Sequence, residues 1–178
     1  MVRRLNDHYD SATWMVDQLL ERHPIWNNRK ALDPCNGNGI ISNHPGLKGM
    51  RTADIDPNLK AENTYDASKV KLWEYYGNNG IDWVITNPPF QSAFKILHNL
   101  YFQVNHGVAL ILRLSFLEPT KEREDFLVSC PPTDLIVLPR YSFTQDGKTD
   151  SVTCAWMIWN LRKINYQSIN ISRRRAKA

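Results

Sequence analysis

The chain has 178 residues and a formal net charge of +4, with 42% hydrophobic and 11% aromatic residues. That content excludes a disordered chain and is enough to fill the core of one domain. No apolar run reaches the roughly 20 residues of a membrane span, and Met1-Val2-Arg3-Arg4-Leu5-Asn6-Asp7 lacks the apolar stretch of a signal peptide.

Ser11 to Arg22 carries Trp14, Met15, Leu19 and Leu20 at helical spacing, with Val16 between them. It predicts an amphipathic helix with Ser11 as N-cap, and Pro24 follows its end. Arg29 to Asp33 reads as a short first strand. Asp33-Pro34-Cys35-Asn36-Gly37-Asn38-Gly39-Ile40-Ile41 comes next. Glycines so placed after a strand let the backbone pass close to a ligand. Gly49 to Pro57 gives a second strand ending in acids. Asp54 lies about 20 residues beyond the glycine loop, where dinucleotide folds hold a ribose with a carboxylate. An exposed turn acid is the other reading. Ala67 to Tyr76 is helical in character with Asp66 as a candidate N-cap, and Asn78-Asn79-Gly80 is a turn.

The run Ile81-Asp82-Trp83-Val84-Ile85-Thr86 is rich in β-branched and aromatic residues and predicts a buried strand. Asn87-Pro88-Pro89-Phe90 stops it, because neither proline has an N–H for a sheet ladder and each fixes φ. Asn87 is thereby held at the strand's C-terminal edge, where open α/β sheets place their ligands. Its side-chain carbonyl and the Pro88 carbonyl are acceptors, and Phe90 offers a flat face. Two acceptors and a ring describe a pocket for a planar group bearing an NH2. Gln91 to Val104 has a helical stripe of Phe94, Leu97, Tyr101 and Val104. Gly107 to Leu112 is a continuous apolar run, a buried parallel strand. A polar-rich helix over Lys121 to Ser129, a short strand over Leu135 to Leu138 and a late strand over Ser151 to Trp159 complete the pattern.

Cys35, Cys130 and Cys154 form no Cys-x-x-Cys pair and the five histidines show no ligand spacing. This argues against a disulfide framework or a structural metal and suits the reducing cytoplasm. Much of the positive charge sits at the ends, in Arg3, Arg4, Arg173-Arg174-Arg175 and Lys177. A solvated basic tail and a nucleic-acid contact explain it equally well.

Asn87-Pro88-Pro89-Phe90 resembles motif IV of the amino-methylating branch of the class I S-adenosylmethionine-dependent methyltransferases. Asp33-Pro34-Cys35-x-Gly37-x-Gly39 resembles motif I of the same branch, and Asp54-Ile55-Asp56-Pro57 matches its acid-Ile-Asp-Pro segment. Tyr65-Asp66-Ala67-Ser68 resembles the following motif. His8-Tyr9-Asp10-Ser11-Ala12 is similar to the N-terminal motif, with Ser11 and Ala12 in place of Thr and Pro. The resemblance covers roughly residues 8 to 160 in one order. It implies that Tyr9 and Ser11 close over the methionine end of the cofactor. Asp33, beside Pro34, Gly37 and Gly39, would anchor the cofactor's amino group. Asp54 with Ile55 would hold the ribose and Asp66 the adenine amine. Asn87, Pro88, Pro89 and Phe90 would receive the target amine. Between the last two strands, Tyr141, Phe143 and Lys148 are the implied target contacts, unless the segment is an ordinary hairpin loop.

The implied fold is a three-layer Rossmann-like α/β sandwich, mostly parallel with a late antiparallel strand. A single methyltransferase domain is expected over residues 1–165, followed by a basic tail over 166–178. The implied cofactor is S-adenosyl-L-methionine, and the implied reaction is methylation of the adenine exocyclic amine in DNA. RNA bases, cytosine or a protein glutamine remain alternative targets, and a non-catalytic subunit of a methyltransferase complex an alternative role. A dinucleotide-dependent oxidoreductase fits less well, since the third glycine of Gly-x-Gly-x-x-Gly is missing. Site-specific DNA enzymes usually carry an inserted recognition region, and no segment is large enough for one. Weak sequence specificity is therefore expected, unless a recognition partner or a homodimer supplies it.

Overall fold

The structure, a computed structural model, describes residues 11–23, 30–77, 80–139 and 152–162. Its helices are α1 (Thr13–Arg22), α2 (Val70–Gly77), α3 (Ala93–Leu100) and α4 (Glu124–Ser129), and its strands β1 (Ala31–Asp33), β2 (Arg51–Asp54), β3 (Asn63–Thr64), β4 (Trp83–Thr86), β5 (Gly107–Arg113), β6 (Asp134–Val137) and β7 (Cys154–Asn160). Short 3-10 turns stand at Pro45–Leu47 and Leu114–Leu117.

The strands form one seven-stranded sheet in the order β3-β2-β1-β4-β5-β7-β6. Strands β1 to β5 pair in parallel, and β7 runs antiparallel to both its neighbours, β5 and the edge strand β6. The late antiparallel strand expected from the sequence is β7. Its register with β5 runs from Gly107 opposite Asn160 to Arg113 opposite Cys154.

Alternation along the central strands divides the core in two. Val84, Val108, Leu110, Leu112, Met157 and Trp159 pack on one face with Leu72 and Trp73 of α2, Ile96 and Leu97 of α3 and Leu127 of α4. Trp83, Ile85, Ala109, Ile111, Trp156 and Ile158 pack on the other face with Met15, Val16 and Leu19 of α1. A strand sends successive side chains to opposite faces, so a run apolar at every position must be covered on both sides. This is the three-layer α/β fold. The α1 side chains are fully buried, which contributes about 1.5–3 kcal/mol for each. The Trp156 indole also donates to the Met15 carbonyl at 2.7 Å, fixing α1 over the sheet.

Several boundaries differ from expectation. Ser11 is not the N-cap of α1: Ala12 holds that position, with no side-chain cap bond, because the Ser11 hydroxyl is engaged by Asn87. Asp66 does not cap a helix at Ala67. Its carboxylate accepts from the Ser68 N–H at 2.9 Å in a turn, and α2 begins at Val70. The stripe through Val104 outruns α3, since Asn105 and His106 turn to donate to the Ile81 and Asp82 carbonyls at the start of β4. Likewise α4 starts at Glu124, after a turn closed on the Thr120 carbonyl.

Among the described residues no helix is long and apolar enough to cross a membrane. Among the described residues, Cys35, Cys130 and Cys154 form no disulfide.

Candidate active site

Strands β1, β2 and β4 run in parallel and end side by side, at Asp33, Asp54 and Thr86. The chain passes outward through β2 and β3 on one side of β1 and through β4 and β5 on the other. Such a reversal opens a crevice beyond the strand ends. A cavity of about 350 Å3 lies there, within the roughly 300–1,000 Å3 typical of small-molecule sites.

The glycine loop closes one side of it. Gly37 and Gly39 take φ of 52° and 75°, the left-handed region that glycine enters without a Cβ penalty. The turn aims the Gly37 N–H at Asp54, whose Oδ2 accepts it at 2.8 Å, and Asp54 Oδ1 accepts the Asp56 N–H at 3.0 Å. Asp54 is thus a buried acid joining two loops, not an exposed turn acid. Asn36 fixes the same loop from three directions. Its N–H donates to the Ala53 carbonyl and its amide to the Lys60 carbonyl, and its Oδ1 accepts the Ser42 hydroxyl at 2.6 Å. Nothing in the sequence assigned Asn36 a role; the one signal was an amide inside a glycine turn.

Asp33 is 1% exposed. Its Oδ1 accepts the Thr86 hydroxyl at 2.6 Å and the Cys35 N–H at 3.2 Å. Burial pushes its carboxyl up from 3.8 to about 7, against the lowering effect of those two bonds and with a small further push from Asp54. A buried carboxylate of this kind is stabilised by a cation brought to it. The Cys35 thiol is pushed well up, first by burial and then by Asp33 and Asp54, so it stays protonated.

Asn87 follows β4 directly. Its amide nitrogen donates to Ser11 Oγ at 3.2 Å, so the segment leading into α1 meets the residue after β4 at the cavity wall. The Phe90 ring packs against the α1 side of the core and lies under the Arg113 guanidinium.

Of the residues singled out from the sequence, Ser11, Asp33, Pro34, Gly37, Asp54, Ile55, Asp66, Asn87 and Pro89 line the cavity. Gly39, Pro88 and Phe90 stand outside that lining. Tyr9, Tyr141, Phe143 and Lys148 lie outside the described residues. The wall also holds Ile40, Ile41 and Asp56, which stand within the sequence motifs but had no role assigned, and Leu59, Ser92 and Ile96, which the sequence pattern did not single out. No group of His, Cys, Asp and Glu suited to a metal occurs among the described residues.

The same architecture is found in solved structures of low sequence identity. One is described as a modification subunit of a type I restriction enzyme from Vibrio vulnificus YJ016, at TM-score 0.59 and 13% identity, covering 86% of this chain and 44% of that one. Another is the M protein of the type I restriction enzyme EcoKI, at TM-score 0.64 and 10% identity, covering 88% and 44%. A third is the Thermoplasma acidophilum protein 1320, at TM-score 0.56 and 16% identity, covering 90% and 92%. The chain is thus similar in fold to these proteins and spans less than half the length of the first two. No protein-family model and no curated protein matches the sequence.

Proposed function

We propose that this chain is an S-adenosylmethionine-dependent N-methyltransferase acting on the exocyclic amine of adenine in DNA. The observation that carries the reading is a juxtaposition. Asn87, which opens the Asn-Pro-Pro-Phe turn, lines the same cavity as the three acids Asp33, Asp54 and Asp66. One structural neighbour is described as a modification subunit and another as the M protein of a type I restriction enzyme, which supports a DNA substrate.

The residues present fit the cofactor chemically. Asp33, buried beside a second carboxylate, suits an ammonium. Asp54 keeps acceptor capacity for ribose hydroxyls beyond the two N–H groups it holds. The Asp66 carboxylate suits the adenine amine, and Ile40, Ile55 and Leu59 supply apolar walls. When bound, S-adenosylmethionine supplies a methyl group activated by a sulfonium.

Asn87 and the Pro88 carbonyl accept the two N–H bonds of the target amine, whose lone pair is otherwise delocalised into the ring. Holding both N–H bonds favours a more tetrahedral, more nucleophilic nitrogen. Its surplus proton passes to water. Ser11 holds the Asn87 amide in place. Orientation supplies most of the rate. Phe90 stacks on the target ring, a contact worth about 1–3 kcal/mol per base, and a duplex base must leave the stack to reach it. Phosphate contacts supply much of the affinity, so binding weakens with salt and sequence specificity is low.

The test is transfer of labelled methyl from the cofactor to separate pools of DNA, RNA and protein. Label in DNA is expected. Label in RNA or protein alone would move the target elsewhere, and absence of transfer with absence of cofactor binding would remove the activity.

A further inference from the structure

The carboxylate of Asp33 is held asymmetrically. Among the described residues, Oδ1 takes both hydrogen bonds, from Thr86 and from the Cys35 N–H, and Oδ2 takes none. The groups acting on it are that hydroxyl, that N–H and the neighbouring carboxylate of Asp54 on β2. Asp66 belongs to the same cluster, acting on the adjacent Cys35 thiol. No protein cation is among them. Thr86 is 0% exposed, so its hydroxyl has no water to fall back on, and it immediately precedes Asn87.

We propose that Thr86 is a positioning residue for cofactor recognition: its hydroxyl clamps Oδ1 of Asp33 and leaves Oδ2 to meet the cofactor's ammonium. The inference rests on the cofactor assignment above. A buried carboxylate flanked by another carboxylate favours its neutral form, and a neutral acid attracts an ammonium poorly. The Thr86 hydrogen bond works against this by favouring the anion. It also ties the end of β1 to the end of β4, so that the acid at the cofactor's amine and Asn87 at the target amine sit on one hydrogen-bonded unit.

Calorimetry over about pH 6 to pH 9 tests this with two ligands, S-adenosylhomocysteine, which bears the ammonium, and methylthioadenosine, which lacks it. Thr86→Val keeps the β-branched shape and loses the hydroxyl. It is expected to bind S-adenosylhomocysteine about tenfold more weakly at neutral pH, with the loss recovered as pH rises. Methylthioadenosine binding should stay unchanged, and Thr86→Ser should restore the wild-type profile. An unshifted pH profile, or an equal loss for both ligands, would overturn the positioning role. Failure of the wild-type protein to bind either ligand would instead strike the cofactor assignment.

Discussion

The guanidinium carbon of Arg113 stands 4.5 Å from the centroid of the Phe90 ring. Arg113 is the last residue of β5 and Phe90 closes the turn after β4, so two adjacent strands bring a cation onto the aromatic ring proposed to receive the target base on its other face. A stacked guanidinium contributes about 0.5–2 kcal/mol to the ring's placement, and Arg stacks on bases as it does on aromatic side chains.

Arg113→Ala is accordingly expected to raise KM for DNA by about three- to thirtyfold while leaving S-adenosylhomocysteine affinity alone. Steady-state kinetics with calorimetry separates the two effects. An unchanged KM would exclude Arg113 from target binding.

Asn87→Ala should lower turnover by about 100-fold or more, since it removes the acceptor proposed for the target amine. Cofactor affinity should stay within a few-fold, because the three carboxylates remain. Single-turnover kinetics at saturating cofactor is the measurement, and full activity in this variant would take Asn87 out of the mechanism.

Asp33 gives a pH signature. Its carboxyl is raised from 3.8 to about 7 in the folded protein. The folded state therefore binds more protons than the unfolded state between these values. The group's contribution to stability is fully present below about pH 3.8 and is lost as pH rises through about 7. Asp33→Asn removes the buried charge. Without ligand, this variant should be more stable than wild type at pH 7–8 by on the order of 2 kcal/mol, yet bind S-adenosylhomocysteine far more weakly. Denaturant unfolding at several pH values checks it. A variant that is less stable at every pH would contradict the assigned ionisation.

Gly107 tests the sheet itself. A Cβ there would come within 2.4 Å of the Trp159 carbonyl oxygen and 2.4 Å of the Trp83 ring. Both are fixed in the core, so Gly107→Ala should cost about 3 kcal/mol by overpacking. At Gly49 nothing lies within 4 Å of the added Cβ, and the cost is the backbone's alone, because its φ of +83° disfavours any side chain by about 1–2 kcal/mol. Unfolding midpoints should fall further for the Gly107 variant than for Gly49→Ala.

Elements with strong local patterns were legible in the sequence. β4 and β5 are continuous apolar runs, and the glycine loop and the Asn-Pro-Pro turn punctuate their strands. β3 was not legible, because two polar residues carry no periodicity and are held there by pairing with β2. Ser11 looked like a helix cap because capping is local, whereas its partner Asn87 stands 76 residues away. Thr86 looked like an ordinary strand residue. Its bond to Asp33 spans 53 residues and exists only once β1 and β4 lie side by side. The pairing of Arg113 with Phe90 depends in the same way on strand order.

Whether the Asn87 turn presents an adenine amine to the cofactor is decided by the identity of the methylated nucleoside. DNA is incubated with the protein and methyl-labelled S-adenosylmethionine, digested, and its nucleosides separated. Label is expected in N6-methyldeoxyadenosine for the wild-type protein, with a loss of about 100-fold or more for Asn87→Ala. Label in methylated deoxycytidine, or equal adenine label in the Asn87→Ala variant, would contradict it.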